Sequence, residues 1–430
     1  MEIPDRTGKD RPVKGMFITM PFRILLAAAA LAALLCPAVA AEATECDRLA
    51  ASPNDPGRLA AGVPFNKLDG PAAETACRAA LAATPDAARL KFQLGRAFDR
   101  QDRFADARET YQAAFASGYA IASSAYGKLL ELGLGGPVDF AGAAAAYQRA
   151  LDAGYKYAAG DLAYLHEEGL GFPAKDPAGA LPLYRIAAEA GDTWSDVHLG
   201  FLYERGNGGP VDFGEAVKWY RAAADRDDPL GQADLGVMYE SGKGVAKDTK
   251  EALRLFRLAA GQDNALALRR LAAFYRKGTE VAKDDAEAER LLRKAVEAGE
   301  GEMVWQAQNE LAWLLALGNR NLDEAATLIE EVLPKVPSDH ADKPSVLDTA
   351  AWIDHLRGRN EEAATSERAA IAIDAGYAPF HDRLGDIYAA LGRRDDARAE
   401  WQKALSLPLP DADREPDWDR DRVARKLQST

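Results

Sequence analysis

Apolar and polar positions follow a helical beat through the middle of the chain, and between Leu199 and Ala260 the same beat is written twice. Leu199-Gly200-Phe201-Leu202-Tyr203 returns as Leu235-Gly236-Val237-Met238-Tyr239, a step of 36 residues. Ala216-Val217-Lys218-Trp219-Tyr220-Arg221-Ala222-Ala223 returns as Ala252-Leu253-Arg254-Leu255-Phe256-Arg257-Leu258-Ala259. Leucine and tyrosine four apart make one face of a first helix apolar, and the small Gly200 admits a second helix close by. A Gly-x-Gly stop follows, then Asp212 or Asp248 where a helix wants its N-cap, then the apolar stripe Ala216, Trp219, Tyr220 and Ala223 of a second helix. One such hairpin cannot bury its own stripe, so stability must come from stacking copies. The pattern predicts an all-α chain, an α/α solenoid.

The register extends both ways. Leu162-Ala163-Tyr164-Leu165-His166 with Ala180 and Tyr184 stands 37 residues before Leu199, the extra residue falling between the helices. Gly133, Ala143 and Tyr147 mark a degenerate copy before it. Leu271-Ala272-Ala273-Phe274-Tyr275 with Ala288 and Leu292 keeps the 36-residue step but replaces Gly-x-Gly by Gly278-Thr279-Glu280. These five copies, 120–300, resemble the Sel1-like repeat, A-x-x-x-L-G-x-x-Y-x-x-G-x-G-V-x-x-D-x-x-x-A-x-x-W-Y-x-x-A-A-x-x-G. The flanks read differently. Leu94-Gly95-Arg96-Ala97-Phe98 with Phe104-Ala105-Asp106-Ala107, Tyr111 and Ala114 is similar to a tetratricopeptide (TPR) repeat, giving a TPR-like region at 71–119. Three more TPR-like repeats fill 301–410, marked by Asn309 to Trp313, Leu347 to Trp352 and Arg383 to Tyr388. Within them Asp354 and Glu367 take positions where that pattern expects large apolar residues, which predicts a weakly packed middle repeat. Asp417 to Leu427 reads as a charged helix capping the array, within 411–430.

The amino end is a different kind of sequence. Arg23 precedes thirteen apolar residues, Ile24 to Cys36, and Ala38-Val39-Ala40 follows Pro37. Residues 1–41 therefore read as a secretory signal peptide cleaved near Ala40/Ala41, with Met16 or Met20 as a more ordinary start. The run is too short to span a bilayer, and no comparable run follows, so the chain has no transmembrane segment after signal removal. Periplasmic or secreted localisation is expected. A Pro/Gly-rich arm, 42–70, comes next. Cys46 and Cys77 remain as an even pair: either they form a disulfide that pins this arm, or Cys77 is an ordinary buried thiol on a stripe with Ala73, Ala76 and Ala80.

Charge and motif search narrow the function. The chain carries 53 Lys/Arg against 67 Asp/Glu, a net charge of −14, and residues 1–41 hold five of the former and three of the latter. Such acidity argues against a nucleic-acid partner. The histidines 166, 198, 340, 355 and 381 lack zinc-ligand spacing, and His166, standing in for the repeat's tyrosine, is expected to pack. No G-x-S-x-G or Ser-x-x-Lys occurs, and the Gly-rich strings recur at the repeat period after helices, as turns do. No cofactor or metal is expected.

One periodic feature is left. Glu131, Glu167, Glu204 and Glu240 follow the repeat's tyrosine position in four successive copies, and Arg276 does so in the fifth. These residues are either an acidic ladder that receives a basic partner surface, or simply a wet helix position that suits glutamate. The resemblance implies a non-catalytic protein-interaction scaffold or regulator of the bacterial cell envelope, binding another protein on its curved surface. It also implies an alternative, a peptidoglycan- or β-lactam-directed hydrolase. The branch of Sel1-like proteins linked to β-lactams places a disulfide in each repeat, however, and these repeats hold no cysteine.

Overall fold

A computed structural model of the chain describes residues 42–408 and 418–429, and every regular element among them is helical. The signal-peptide reading of 1–41 lies outside the described residues. The chain divides into two compact units, one ending at Thr110 and one beginning at Tyr111.

The first unit holds α1 (Glu45–Ala50), α2 (Gly70–Ala83), α3 (Ala88–Asp99) and the start of α4 (Phe104–Ala116). The arm expected at 42–70 is more ordered than its composition implies. Thr44 and Asp47 form a capping box that starts α1, with the Thr44 side chain accepting from the Asp47 amide and Asp47 from the Thr44 amide. Arg96 on α3 then donates to the Ala50 carbonyl at 2.7 Å and the Val63 carbonyl at 2.8 Å, holding the arm at two points. Asp47 is fully buried and is answered by Gln93 at 2.9 Å and by Arg89. Cys46 and Cys77, both fully buried, are joined as a disulfide between α1 and α2.

The second unit opens with five helix pairs: α5 (Ala120–Leu132) and α6 (Phe140–Asp152), α7 (Ala158–Glu168) and α8 (Pro177–Glu189), α9 (Thr193–Arg205) and α10 (Phe213–Ala224), α11 (Pro229–Ser241) and α12 (Thr249–Ala260), α13 (Ala265–Lys277) and α14 (Asp285–Ala298). Three further pairs follow: α15 (Glu302–Leu317) and α16 (Leu322–Val332), α17 (Lys343–Leu356) and α18 (Asn360–Ile373), α19 (Ala378–Ala390) and α20 (Arg394–Ser406). Last comes α21 (Arg420–Ser429).

The repeated residues do repeated work. In each of the first five pairs the first helix ends on a glycine with φ between 66° and 73°, the left-handed cap that a β-carbon disfavours. Asp139, Asp176, Asp212, Asp248 and Asp284 then cap the second helix through their side chains. The same aspartates send their amides back to carbonyls of the first helix at 2.7–3.0 Å, which closes each hairpin. In the second pair this loop is one residue longer, Asp176 reaching His166, so the 37-residue step is absorbed between the helices. Tyr147, Tyr184, Tyr220 and Phe256 are fully buried at equivalent positions. A β-carbon on Gly200 would stand 2.4 Å from the Tyr220 ring, so the glycine permits the close approach. The second glycine of Gly-x-Gly is a joint between repeats: a β-carbon on Gly244 would fall 2.1 Å from the Phe213 carbonyl oxygen at the start of the preceding α10. Glu280 keeps the same turn with φ 57, and accepts from Thr249 at the start of α12 at 2.9 Å.

One hydrophobic core runs from Ala233 on α11 to Ile353 on α17, so packing is continuous across the Gly299-Glu300-Gly301 joint. The pair α17/α18 holds the two misfits. Asp354 ion-pairs with Arg359, and Glu367 is fully buried. At the far end Val423 of α21 is buried against the core containing Trp401 and Tyr388. The Asp419 side chain accepts from the Asp421 amide and starts this helix at Arg420. The terminal helix therefore begins three residues later than the sequence pattern suggests, and Asp417 lies outside the described residues.

Candidate functional site

The glutamate row lies at the joints between helices. Tyr147, Tyr184 and Tyr220 each donate their hydroxyl across the hairpin to the row, to Glu131 at 2.6 Å, Glu167 at 2.8 Å and Glu204 at 2.9 Å. Glu131 is buried. Phe256 has no hydroxyl to offer in the fourth copy, and Glu240 faces Arg270 of the next repeat at 3.5 Å instead. Glu131 and Glu167 are also linked to the following repeat: Lys128 bridges Glu131 and Asp161 at 3.1 and 3.3 Å, and His198 lies 3.4 Å from Glu167. Half-burial works against the Glu167 charge, yet the His198 and Tyr184 hydrogen bonds hold its carboxyl below the usual carboxylate range. Burial, joined by the charges of Glu204 and Asp228, pushes Asp234 up to about 7. The macrodipole at these helix ends disfavours carboxylates by about 0.3–1 kcal/mol each, and the tyrosine hydroxyls supply the compensation.

Arg276, the last member of the row, lies elsewhere. It borders two adjoining cavities of about 190 and 250 Å³ on the first helices of the later pairs, and it shares that position only with Trp313. Residues Trp305, Asn309, Trp313 and Leu317, four apart along α15, form one wall. The helix α13 adds Arg269. From α17 come Asp348, Thr349 and Trp352, from α19 Phe380, Asp382 and Arg383, and from the capping segment Trp418, Arg422 and Lys426. Four of the chain's seven tryptophans thus line one groove.

Its charges are largely matched within the wall. Arg269 donates to Glu310 at 2.5 Å, and Arg383 grips Asp348 through two bonds of 3.0 and 2.9 Å with its guanidinium 4.7 Å from the Trp313 ring centre. Lys426 bonds Asp382 at 2.8 Å and Asp386 at 2.5 Å, and Arg422 reaches Asp382 at 3.3 Å. Behind this wall lies Glu367. Burial and the Asp348 charge push its carboxyl well above the usual carboxylate range. Both of its oxygens lack a hydrogen-bond partner among the described residues, and burial beside the Asp348 carboxylate favours the neutral, protonated acid. Protonation is how a glutamate occupies a position built for an apolar side chain.

Of the five histidines, the sequence expects His166 to pack. His166 stacks on Phe172 with ring centres 4.0 Å apart. His381 is buried between Glu400 at 2.6 Å and the Ala375 carbonyl at 3.2 Å. Glu302, His340 and Asp342 come together closely enough to suggest a metal site. The bonds argue otherwise, because His340 Nδ1 accepts the Asp342 amide at 3.1 Å and so leaves Nε2 protonated toward Glu302 at 3.5 Å. Metal-bound histidines donate through their other nitrogen, the reverse of this arrangement. Gln306 satisfies both Glu302 and Asp342, at 2.8 and 3.1 Å.

A helical-repeat array with an aromatic groove defines a class, the α-solenoids that serve typically as protein-interaction scaffolds. The chain contains Sel1 repeats: the Sel1 repeat family model matches residues 156–192, 197–228, 229–264 and 265–300. The degenerate first copy, 120–155, is not among the matched segments, although α5 and α6 reproduce the cap and the Tyr147–Glu131 bond of the others. A Sel1 repeat protein from Oxalobacter formigenes is similar over 56% of this chain and 96% of its own, at 25% identity and TM-score 0.52. The protective antigen c5321 of uropathogenic Escherichia coli, with an SLR fold, is similar over 87% of this chain and 86% of its own, at 24% identity and TM-score 0.57, a likeness of fold. No curated protein matches the chain.

Proposed function

We propose that this chain is a non-catalytic scaffold of the bacterial cell envelope, exported through cleavage near Ala40/Ala41, that holds a segment of another envelope protein in the groove between α13 and α21. The observation that carries this reading is the clustering of Trp305, Trp313, Trp352 and Trp418 on one groove. Tryptophan is the side chain most enriched where binding energy concentrates. Cavities of about 190 and 250 Å³ fall below the usual size of small-molecule sites but accept single side chains of an extended segment. The Cys46–Cys77 disulfide supports an oxidising compartment. Because Glu131, Glu167 and Glu204 are engaged with tyrosines and Glu240 with Arg270, they serve the repeat joints in this reading, and the groove receives the partner.

The test is affinity capture from an envelope fraction with the full chain and with a Trp313→Ala, Trp352→Ala double variant, together with the mass of the exported protein. A specific partner held by the first and lost by the second, and an exported chain beginning near Ala41, are expected. Capture indifferent to both tryptophans would refute the groove, and an unprocessed chain retained in the cytoplasm would refute the export.

A further inference from the structure

Resting on the groove as the binding surface, we infer that its occupant is an extended peptide segment carrying an internal aspartate or glutamate beside an aromatic residue. The carboxylate is received by Arg276 and the ring enters the cavity bounded by Trp305, Trp313 and Phe380. The argument is one of charge complementarity. Every other basic side chain lining the two cavities has an acidic partner in the wall: Arg269 with Glu310, Arg383 with Asp348, Arg422 and Lys426 with Asp382. Arg276 alone among them has neither a hydrogen bond nor an ion pair with any described residue. It is half-buried on α13, and with Trp313 it is common to both cavities, so the one unmatched charge stands at the middle of the groove. An arginine so placed draws a carboxylate, and two parallel hydrogen bonds fix its orientation.

The indole of Trp313 supplies the adjacent apolar surface. Its ring already carries the Arg383 guanidinium at 4.7 Å, which leaves the Arg276 side of the groove for a ligand. Asn309, one turn before Trp313 on the same wall, keeps an amide oxygen with no donor among the described residues. An extended backbone passing along α15 brings N–H groups of that kind. The selectivity is local: the whole chain is acidic, yet among the basic side chains lining this groove Arg276 is the one that offers an anion an unshared cation.

The experiment uses the full chain and a display library of random linear dodecapeptides, followed by synthetic copies of the selected peptides with blocked ends. The expected result is selection of peptides with an acidic residue close to an aromatic one. Their binding should fall at least tenfold, about 1.4 kcal/mol, when the acid becomes its amide or when the protein carries Arg276→Gln, and the two changes together should cost no more than either. Arg276→Lys should keep part of the binding, and circular dichroism should show all variants folded, since Arg276 makes no bond within the protein. Peptides that lose binding on amidation of the terminus, because a free C-terminal carboxylate is what binds, would overturn the inference. So would acid-free peptides that ignore Arg276→Gln yet are lost with Trp313→Ala, an outcome that leaves the groove itself standing. Failure to select any peptide sensitive to Trp313→Ala would refute the groove and the inference with it.

Discussion

Exchange of Glu367 for glutamine tests the chemistry inferred behind the groove. In the folded chain Glu367 is fully buried, and burial with the neighbouring Asp348 charge holds its carboxyl well above the ordinary carboxylate range. In the unfolded chain it titrates near 4.3. An acid whose folded pKa is raised contributes its full share of stability below the unfolded value. As the pH rises past that value the unfolded chain releases a proton that the folded chain must keep, and stability falls by about 1.4 kcal/mol per pH unit until the folded group itself ionises. Glutamine has nearly the same shape, stays neutral at every pH, and has nothing to release. Relative to the parent, Glu367→Gln should therefore gain stability steadily from about pH 5 upward. Burial and solvent relaxation will reduce the slope below the full value, but its sign is set. The assay is thermal or denaturant unfolding of both proteins at fixed ionic strength from pH 5 to 8, reading only the difference. Asp161 and Asp196, both pushed up to about 6 mainly by burial, cancel in that difference. A difference that stays flat over this range, or that favours the parent as pH rises, would show that Glu367 is not held as a neutral acid.

Further outcomes are expected from the repeat joints and the disulfide. Gly200→Ala should destabilise by about 1–3 kcal/mol because its new carbon meets the Tyr220 ring at 2.4 Å. Gly244→Ala should cost more, since the obstacle is the Phe213 carbonyl and φ is 67°. Gly209→Ala, with nothing within 4 Å, should leave the melting temperature unchanged, and equal effects at all three sites would contradict the packing account. Tyr220→Phe should cost about 1 kcal/mol by leaving Glu204 without its hydroxyl, measured by denaturant midpoint; no loss would mean that water replaces the bond fully. Cys77→Ser should weaken the folding of residues 42–110 by about 3–4 kcal/mol, from closure of a loop with sequence separation 31. Amide exchange of α1 and α2 reads that loss, and titratable thiols in the oxidised parent would refute the bridge.

Sequence periodicity was sufficient for everything that one helix pair needs. Leu199, Gly200 and Tyr203 with their copies, the Gly stops and the Asp212 and Asp248 caps are local signals, acting over a few residues through helix geometry and backbone hydrogen bonds. They recur, so the all-α array could be read from them directly. The glutamate row was equally visible, and so was its end at Arg276. What the row does depends on the face it turns to, and only the packed hairpin brings Tyr147, Tyr184 and Tyr220 to within hydrogen-bond distance of it.

The tertiary structure decided the rest, because the decisive contacts join residues from different repeats. Trp313 and Trp352 stand in the sequence as ordinary repeat markers, and nothing local says that Trp305 and Trp418 share their groove; stacked helices place them there. Glu367 reads as a packing fault until Asp348 and Arg383, distant in sequence, are seen beside it. The arm before α2 looks loose by composition, yet Arg96 ties it down across 33 and 46 residues of separation. Periodicity determines an element and its apolar face. Which charges are neutralised, and which one is left over at Arg276, is settled only when the faces meet.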